Sequence, residues 1–323
     1  MPDGLTPMTE PVIAVVGPTA AGKSELALRL AVEIGGEIVN ADSMQLYTGM
    51  DIGTAKLPVA QRRGVPHHLL DIWDVRQTAS VAEYQRLARD AIADIQRRGL
   101  FPVLAGGSGL YLRAALDPLR FPGTDPALRA RLEAELAQSG AAALHRRLTG
   151  LDPAAAAAIL PSNGRRIVRA LEVIEVSGRP FSATLPGYES VYPVVQLGLA
   201  VDRAELDARI TARTGQMFAA GLVDEVARLE RAGLREGKTA SRALGYAQVL
   251  RFLAGEATLE EARAQTVLAT KRFVRRQESW FRRDPRVAWL PAGAADAGDL
   301  LERALTTIGP CGSRKGTAPR TTS

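Results

Sequence analysis

Gly17-Pro18-Thr19-Ala20-Ala21-Gly22-Lys23-Ser24 lies between the apolar run Val12 to Val16 and the helical pattern Glu25-Leu26-Ala27-Leu28-Arg29-Leu30. The spacing G-x-x-x-x-G-K-S ends a strand in a loop whose backbone N–H groups wrap a polyphosphate. Lys23 then reaches the outer phosphate oxygens, and Ser24 is placed to hold Mg²⁺. A helix beginning near Gly22 turns its positive end toward the same anion. A plain glycine turn between a strand and a helix would need neither a lysine nor a serine at these offsets. The loop alone does not say which phosphate compound it holds.

Downstream, Glu37-Ile38-Val39-Asn40-Ala41 reads as a second strand ending at Asp42-Ser43, which makes the start of the chain a βαβ unit. Ligands of open parallel sheets sit outside the carboxyl ends of the strands, so Asp42 is expected to face the phosphate site. Asp42 and Ser43 also suit the N-cap of a following helix, and a cap there would still line the cleft. The stretches Asp51 to Lys56 and Val65 to Asp71 read as loops. Within them the adjacent His67 and His68 invite a metal reading, but only His145 remains elsewhere and no H-x-x-x-H spacing occurs, so these histidines are taken as structural. A helix is predicted from about Ser80 to Arg98, stopped by Gly99. The strand Phe101 to Ala105 then enters a second glycine-rich corner, Gly106-Gly107-Ser108-Gly109, which aims the Ser108 hydroxyl into the same cleft.

Composition sets the outer limits. A chain of 323 residues, 46% apolar, can bury a full core and fits about two domains. The single cysteine, Cys311, excludes a disulfide framework and a cysteine-based zinc site. Met1 to Glu10 has no basic segment followed by an apolar one, and no apolar run reaches membrane-spanning length, so a cytoplasmic protein with no membrane partner is expected. A net charge of +6 favours a polyanionic partner, although charge alone is weak ground for one.

From Asp117 the texture changes. Pro118, Pro122, Gly123 and Pro126 form a linker, and three alanine-rich or basic helical patterns follow, Leu128 to Leu148, Pro153 to Leu160 and Arg165 to Val176, with Gly178 as the last stop. The expected fold is therefore α/β, a P-loop NTPase-like parallel sheet with an inserted all-helical domain. Residues 1–118 form the first part of the core, 119–193 the insertion, and 194–296 the completion of the core with basic C-terminal helices. Residues 297–323 read as a disordered tail. In the insertion, Arg165, Arg166 and Arg169 fall on one side of a helix and Arg129 and Arg131 sit on another; each is either a phosphate contact or part of a solvated face. A later helix, Glu205 to Leu229, carries Arg209 and Arg213 four residues apart. The run Lys271 to Arg283 interleaves six basic residues with Phe273, Trp280 and Phe281, which suits an amphipathic helix turned toward a nucleic-acid backbone.

Six segments occur together in a characteristic order. They are the P-loop, Asp42-Ser43-Met44-Gln45-Leu46-Tyr47, Met50-Asp51-Ile52-Gly53-Thr54-Ala55-Lys56, Gly106 to Tyr111, Arg169 to Val173, and Arg275 to Arg282. In this order the chain resembles the tRNA isopentenyltransferase family, whose bacterial members are tRNA dimethylallyltransferases, over roughly Pro11 to Leu290. The P-loop alone is shared by nucleotide-binding, ATP-binding proteins of many kinds, whereas the second and third segments in succession are specific to this family.

The resemblance implies transfer of a dimethylallyl group from dimethylallyl diphosphate to the exocyclic amine of the adenosine 3′ of the anticodon. The implied partners are a tRNA anticodon stem-loop and dimethylallyl diphosphate, the implied cofactor is Mg²⁺ on Ser24, and a monomer is expected. By similarity, Gly17, Pro18, Thr19, Ala20, Ala21, Gly22, Lys23 and Ser24 cradle the diphosphate. Asp42 is the general base, and Ser108 with Arg213 stabilises the departing diphosphate. Ser108 stands where the family usually has threonine, keeping the hydroxyl without the methyl that fixes its rotamer. The tRNA contacts carried over are Asp42, Ser43, Met44, Gln45, Ser108, Arg129, Arg165, Arg166, Ile167, Val168, Arg169, Arg242, Ala243, Leu244, Gly245, Tyr246 and Ala247. The family's Asn-Pro-Gln-Arg reads Asn163-Gly164-Arg165-Arg166 here, so Arg165 replaces a polar amide. Three rival readings stay open: a P-loop small-molecule kinase using Asp42 toward a hydroxyl, an adenylate prenyltransferase, and a non-enzymatic tRNA-binding module.

Overall fold

The run Val12–Val16 forms β1 with every residue buried, and the P-loop delivers the chain into α1, Lys23–Ile34. This computed structural model describes residues 10–181, 187–296 and 298–309. The chain divides into two compact units, one built from the residues before Asp117 and after Glu189, the other from Asp117–Glu189.

In the first unit β2 (Gly36–Asn40), β3 (His67–His68), α2 (Val81–Arg97), β4 (Phe101–Ala105) and α3 (Gly109–Leu116) follow in order. The second unit holds α4 (Pro126–Leu151), α5 (Pro153–Ala158) and α6 (Gly164–Ser177). The chain then returns to the first unit with β5 (Val194–Ala200), α7 (Arg203–Ala219), α8 (Leu222–Arg231), α9 (Tyr246–Leu253), α10 (Leu259–Phe281), β6 (Val287–Pro291) and α11 (Leu300–Ile308).

The six strands form one parallel sheet in the order β3-β2-β4-β1-β5-β6. Helices cover such a sheet, so its central strands read as continuous apolar runs, not alternating ones. Ile13, Val15, Ile38, Val103, Leu197 and Leu199 meet Leu26, Leu30 and Ile34 of α1 in the main core. The register aligns the strand ends: Val15 faces Ala105 across β1 and β4, and Asn40 faces Ala105 across β2 and β4. Three neighbouring strands therefore release their loops side by side at one edge, and those loops are the P-loop, the Asp42 turn and the Gly106 corner. Gly106 must be glycine, because a Cβ there would lie 2.3 Å from the Ala41 carbonyl.

The expected helix over Ser80 to Arg98 is α2, with the Ser80 side chain accepting the Glu83 N–H at 3.3 Å. Four expectations differ from the structure. The pattern from Glu205 to Leu229 is two helices, because Gly221 at φ 98° turns the chain between α7 and α8. The stretch holding His67 and His68 contains β3, a short edge strand beside β2. Asp42 caps no helix, since a turn follows it. Residues after Asp296 are not all tail: Leu300, Leu301, Ala304, Leu305 and Ile308 recur at helical spacing, and α11 packs this stripe on the main core. Cys311 and the rest of the predicted tail lie outside the described residues.

His68 Nε2 lies 2.7 Å from Glu37 Oε2, and Arg98 grips the same carboxylate through two N–H groups. The Arg98 hydrogen bonds outweigh desolvation and, with His68, hold the Glu37 carboxyl down at about 2. His68 thus belongs to an ion-pair cluster on the edge strand, while His67 Nδ1 lies 2.8 Å from the Val65 carbonyl. His145 faces the carbonyls of Ala156 and Ile159 at 3.0 Å.

In the helical unit Leu132, Leu144, Leu148, Ile167, Val168 and Leu171 form a core of their own. α4 bends at Gly140, whose φ is 77°. The side chains of Ile167 and Val168 are buried in this core, so these two positions present no side-chain surface to a nucleic acid.

Candidate active site

The three loops open on a cavity of about 370 Å³ within the first unit. Thr19, Ala20, Lys23 and Ser24 line it from the P-loop. Asp42, Ser43, Met44 and Gln45 line it from the turn after β2, and Ser108 from the corner after β4. The opposite wall comes from helices: Ile210, Arg213, Thr214 and Met217 recur along one face of α7, and Thr266, Thr270 and Phe273 along one face of α10. Arg242, Ala243, Leu244, Gly245 and Tyr246 close the remaining side. Gly17, Pro18, Ala21, Gly22 and Ala247 shape the surrounding backbone without lining the cavity.

Lys23 sits on the first turn of α1 and donates to the Pro18 carbonyl at 2.7 Å, closing the P-loop on itself. Desolvation pushes its ammonium down to about 8, with Asp42 pulling upward and Arg213 downward. One carboxylate and two cations therefore share this volume. Arg213 makes no hydrogen bond or ion pair among the described residues, and burial lowers its pKa against the opposing pull of Asp42. An arginine held in a cavity with none of its N–H groups engaged among the described residues is a site built for an incoming anion.

Asp42 is held by its neighbour. Its backbone N–H donates to Asn40 Oδ1 at 2.9 Å, and Asn40 Nδ2 donates to the Asp42 carbonyl at 3.0 Å. Asp42 Oδ1 accepts the Met44 N–H at 2.9 Å, which leaves Oδ2 without a hydrogen bond among the described residues. Ser108 Oγ accepts the Ser43 N–H at 3.1 Å and donates to Ser43 Oγ at 3.2 Å. Those two bonds fix the hydroxyl that a threonine methyl would otherwise orient.

The receiving side of the cavity is organised by Glu225, which the sequence reading missed. Its buried carboxylate accepts the N–H groups of Asp51, Ile52 and Gly53 at 3.1, 2.8 and 3.2 Å, and the Tyr246 hydroxyl at 2.6 Å. Gln45 Nε2 donates to the Thr54 carbonyl of the same loop at 3.0 Å. The available signal was a glutamate among Leu222, Val226 and Leu229 on the apolar face of an amphipathic helix. Burial and the neighbouring Glu225 raise the Tyr246 phenol well above its usual range.

In the helical unit Arg165 and Arg166 are exposed, with no ion pair among the described residues. Arg129 and Arg169 are committed instead to Glu172, whose side chain is fully buried. Arg169 is 2.7 Å from that carboxylate, and Arg129 pairs with it as well.

The model of the IPP transferase family matches residues 45–284. The chain belongs to the IPP transferase family. Proteins named tRNA dimethylallyltransferase from Streptomyces coelicolor and Thermobifida fusca are 68% and 67% identical to it. Each match covers 92% of this chain, and 95% and 94% of the relative. A crystal structure of the full-length tRNA isopentenylpyrophosphate transferase from Bacillus halodurans has a TM-score of 0.69 at 39% identity, covering 93% of this chain and 97% of that one. A eukaryotic dimethylallyltransferase captured acting on tRNA has a TM-score of 0.80 at 25% identity, over 92% of this chain and 78% of that one. The α/β reading with a parallel sheet accords with these IPP transferase neighbours.

Proposed function

We propose that the cavity transfers a dimethylallyl group from dimethylallyl diphosphate to N6 of the adenosine 3′ of the anticodon in tRNA, releasing diphosphate. The observation that carries this reading is the grouping of Lys23, Arg213 and Asp42 around one cavity beside a P-loop. Two cations suit the leaving diphosphate, and one carboxylate suits the attacking amine. As the allylic C–O bond breaks, its electron pair leaves on the diphosphate, where Lys23, Arg213 and the P-loop N–H groups stabilise the growing charge. As the N6–C bond forms, the amine loses a proton to Asp42, whose Oδ2 makes no hydrogen bond among the described residues. Ser43 holds Ser108 at the same corner, within reach of the departing oxygen in this reading.

A hard divalent cation fits the donor set. The described residues contain no cluster of three His, Cys, Asp or Glu side chains that would cage one, whereas Ser24 presents an exposed hydroxyl beside Lys23 on the cavity wall. Ser24 and diphosphate oxygens would hold Mg²⁺, which when bound supplies further charge neutralisation to the leaving group. Arg242 to Tyr246 and Asp42 to Gln45 would receive the adenosine, and Arg165 and Arg166 would meet the RNA backbone.

Incubating the protein with dimethylallyl diphosphate and either an anticodon stem-loop, AMP or ATP, then weighing the products, tests the reading. A stem-loop heavier by one C5H8 unit is expected, with ATP neither hydrolysed nor required. Prenylated AMP would instead make the enzyme an adenylate prenyltransferase, and RNA-dependent ATP hydrolysis would make it a kinase-like NTPase.

A further inference from the structure

We propose that Gln277 is a positioning residue of the diphosphate cradle, acting through the P-loop and not through RNA; the inference rests on the reading of that loop as the diphosphate site. Gln277 lies on α10 between the exposed arginines Arg276 and Arg282, yet is itself buried. Its Oε1 accepts the Thr19 N–H at 2.9 Å across 258 positions of sequence, and its Nε2 donates to the Gly107 carbonyl at 2.9 Å. One partner is a donor and the other an acceptor, so a single orientation of the amide satisfies both. The side chain ties together the glycine-rich corners that follow β1 and β4.

Two features show why the loop needs such a tie. Ala20, next to Thr19, stands at φ 68°, a left-handed conformation that a residue with a Cβ keeps only when its surroundings hold it. At the other anchor there is no room for a side chain, since a Cβ on Gly107 would lie 2.3 Å from Gln277 Nε2. Together with the Lys23 to Pro18 bond, the Gln277 amide holds the loop curved before any anion arrives. A preformed loop loses less conformational freedom on binding, and affinity rises accordingly.

The test compares wild type, Lys23→Ala, Gln277→Ala and Gln277→Glu for affinity toward inorganic diphosphate and toward an anticodon stem-loop, with melting temperatures alongside. Gln277→Ala is expected to weaken diphosphate binding by about fivefold to tenfold, the range of one net hydrogen bond, with stem-loop affinity unchanged. Gln277→Glu sets an acceptor against the Gly107 carbonyl and adds charge near the anion. Its deficit relative to wild type should be larger at neutral pH and shrink toward about pH 5, where the protonated carboxyl again donates to that carbonyl. Undiminished binding by Lys23→Ala would overturn the P-loop reading itself. If Lys23→Ala binds poorly while Gln277→Ala matches wild type, or if Gln277→Ala loses stem-loop affinity alone, only the Gln277 inference falls. If neither Gln277 variant folds, amide exchange in the wild-type protein decides: a Thr19 N–H protected before diphosphate is added supports the tie, and rapid exchange overturns it.

Discussion

Asp42 spends one carboxylate oxygen on its own turn, with Asn40 clamping the peptide groups on either side of it. Asp42→Asn keeps an acceptor for the Met44 N–H and removes the base. Both this change and Asp42→Ala are therefore expected to lower kcat about 10²-fold or more at pH 7, while dimethylallyl diphosphate still binds. Single-turnover rates beside equilibrium binding check this, and turnover within about threefold of wild type would take Asp42 out of the base role. Lys23 carries a pH prediction of its own. Its ammonium, pushed down to about 8 by desolvation, loses its proton in the free protein well before an ordinary lysine would, whereas a bound diphosphate retains that proton. Affinity for dimethylallyl diphosphate should then fall above about pH 8, by up to about one decade per pH unit, and Lys23→Arg should flatten the fall. The unliganded protein behaves oppositely. With the folded value below the unfolded one, the unfolded chain binds more protons between about pH 8 and the ordinary lysine range, so the contribution of Lys23 to stability improves as pH rises through that window.

At the scale of elements, what could be read beforehand was what lies within a few residues of a strand end. The P-loop, Asp42 and the Gly106 corner each announce themselves locally, through a glycine spacing or a polar residue closing an apolar run. Glu225 and Gln277 do not, because the backbone groups they hold lie 172 to 174 positions away for Glu225 and 170 and 258 for Gln277, and only the fold brings them together. Helices α7 and α8 merged in the sequence because their apolar stripes are nearly continuous, and a glycine inside a helical pattern does not say whether it bends or ends the helix. Glu172 shows the same limit inside α6, where a short-range pattern made Arg169 a candidate RNA contact and the packing turned it inward. Desolvation pushes the Glu172 carboxyl upward, but the hydrogen bonds from Arg129 and Arg169 outweigh it and hold the group below the usual carboxylate range. Its contribution is therefore present above the unfolded carboxyl value and lost as pH falls through the lower folded one. Glu172→Gln should cost the helical unit about 1–3 kcal/mol near neutral pH, visible as lost amide protection in α4 and α6, and should blunt the acid sensitivity of that unit. Unchanged protection would mean the two arginines are not held by this carboxylate in solution.

For the whole molecule, the net charge of +6 is useful only where it is presented, and pairing decides that. Arg129 and Arg169 share the buried carboxylate of Glu172, whereas Arg165 and Arg166 stand exposed at the start of α6. If these two meet the RNA backbone, replacing both with glutamine removes up to two phosphate contacts. The slope of log affinity for tRNA against log salt should then flatten by up to about 1.5 to 2 units, and the KM for tRNA should rise. Binding of dimethylallyl diphosphate should hold, because its cavity is lined wholly by residues of the first unit. Adding Arg169→Gln should change the outcome in kind, lowering stability by leaving the buried Glu172 with Arg129 as its one remaining arginine and adding little to the salt slope. Titrations of tRNA at several salt concentrations, run beside diphosphate binding and thermal melts for the double and triple variants, separate these effects. An unchanged slope in a folded double variant would leave Arg165 and Arg166 as solvated surface, and a further full unit of slope on adding Arg169→Gln would show that Glu172 releases its arginine when RNA arrives.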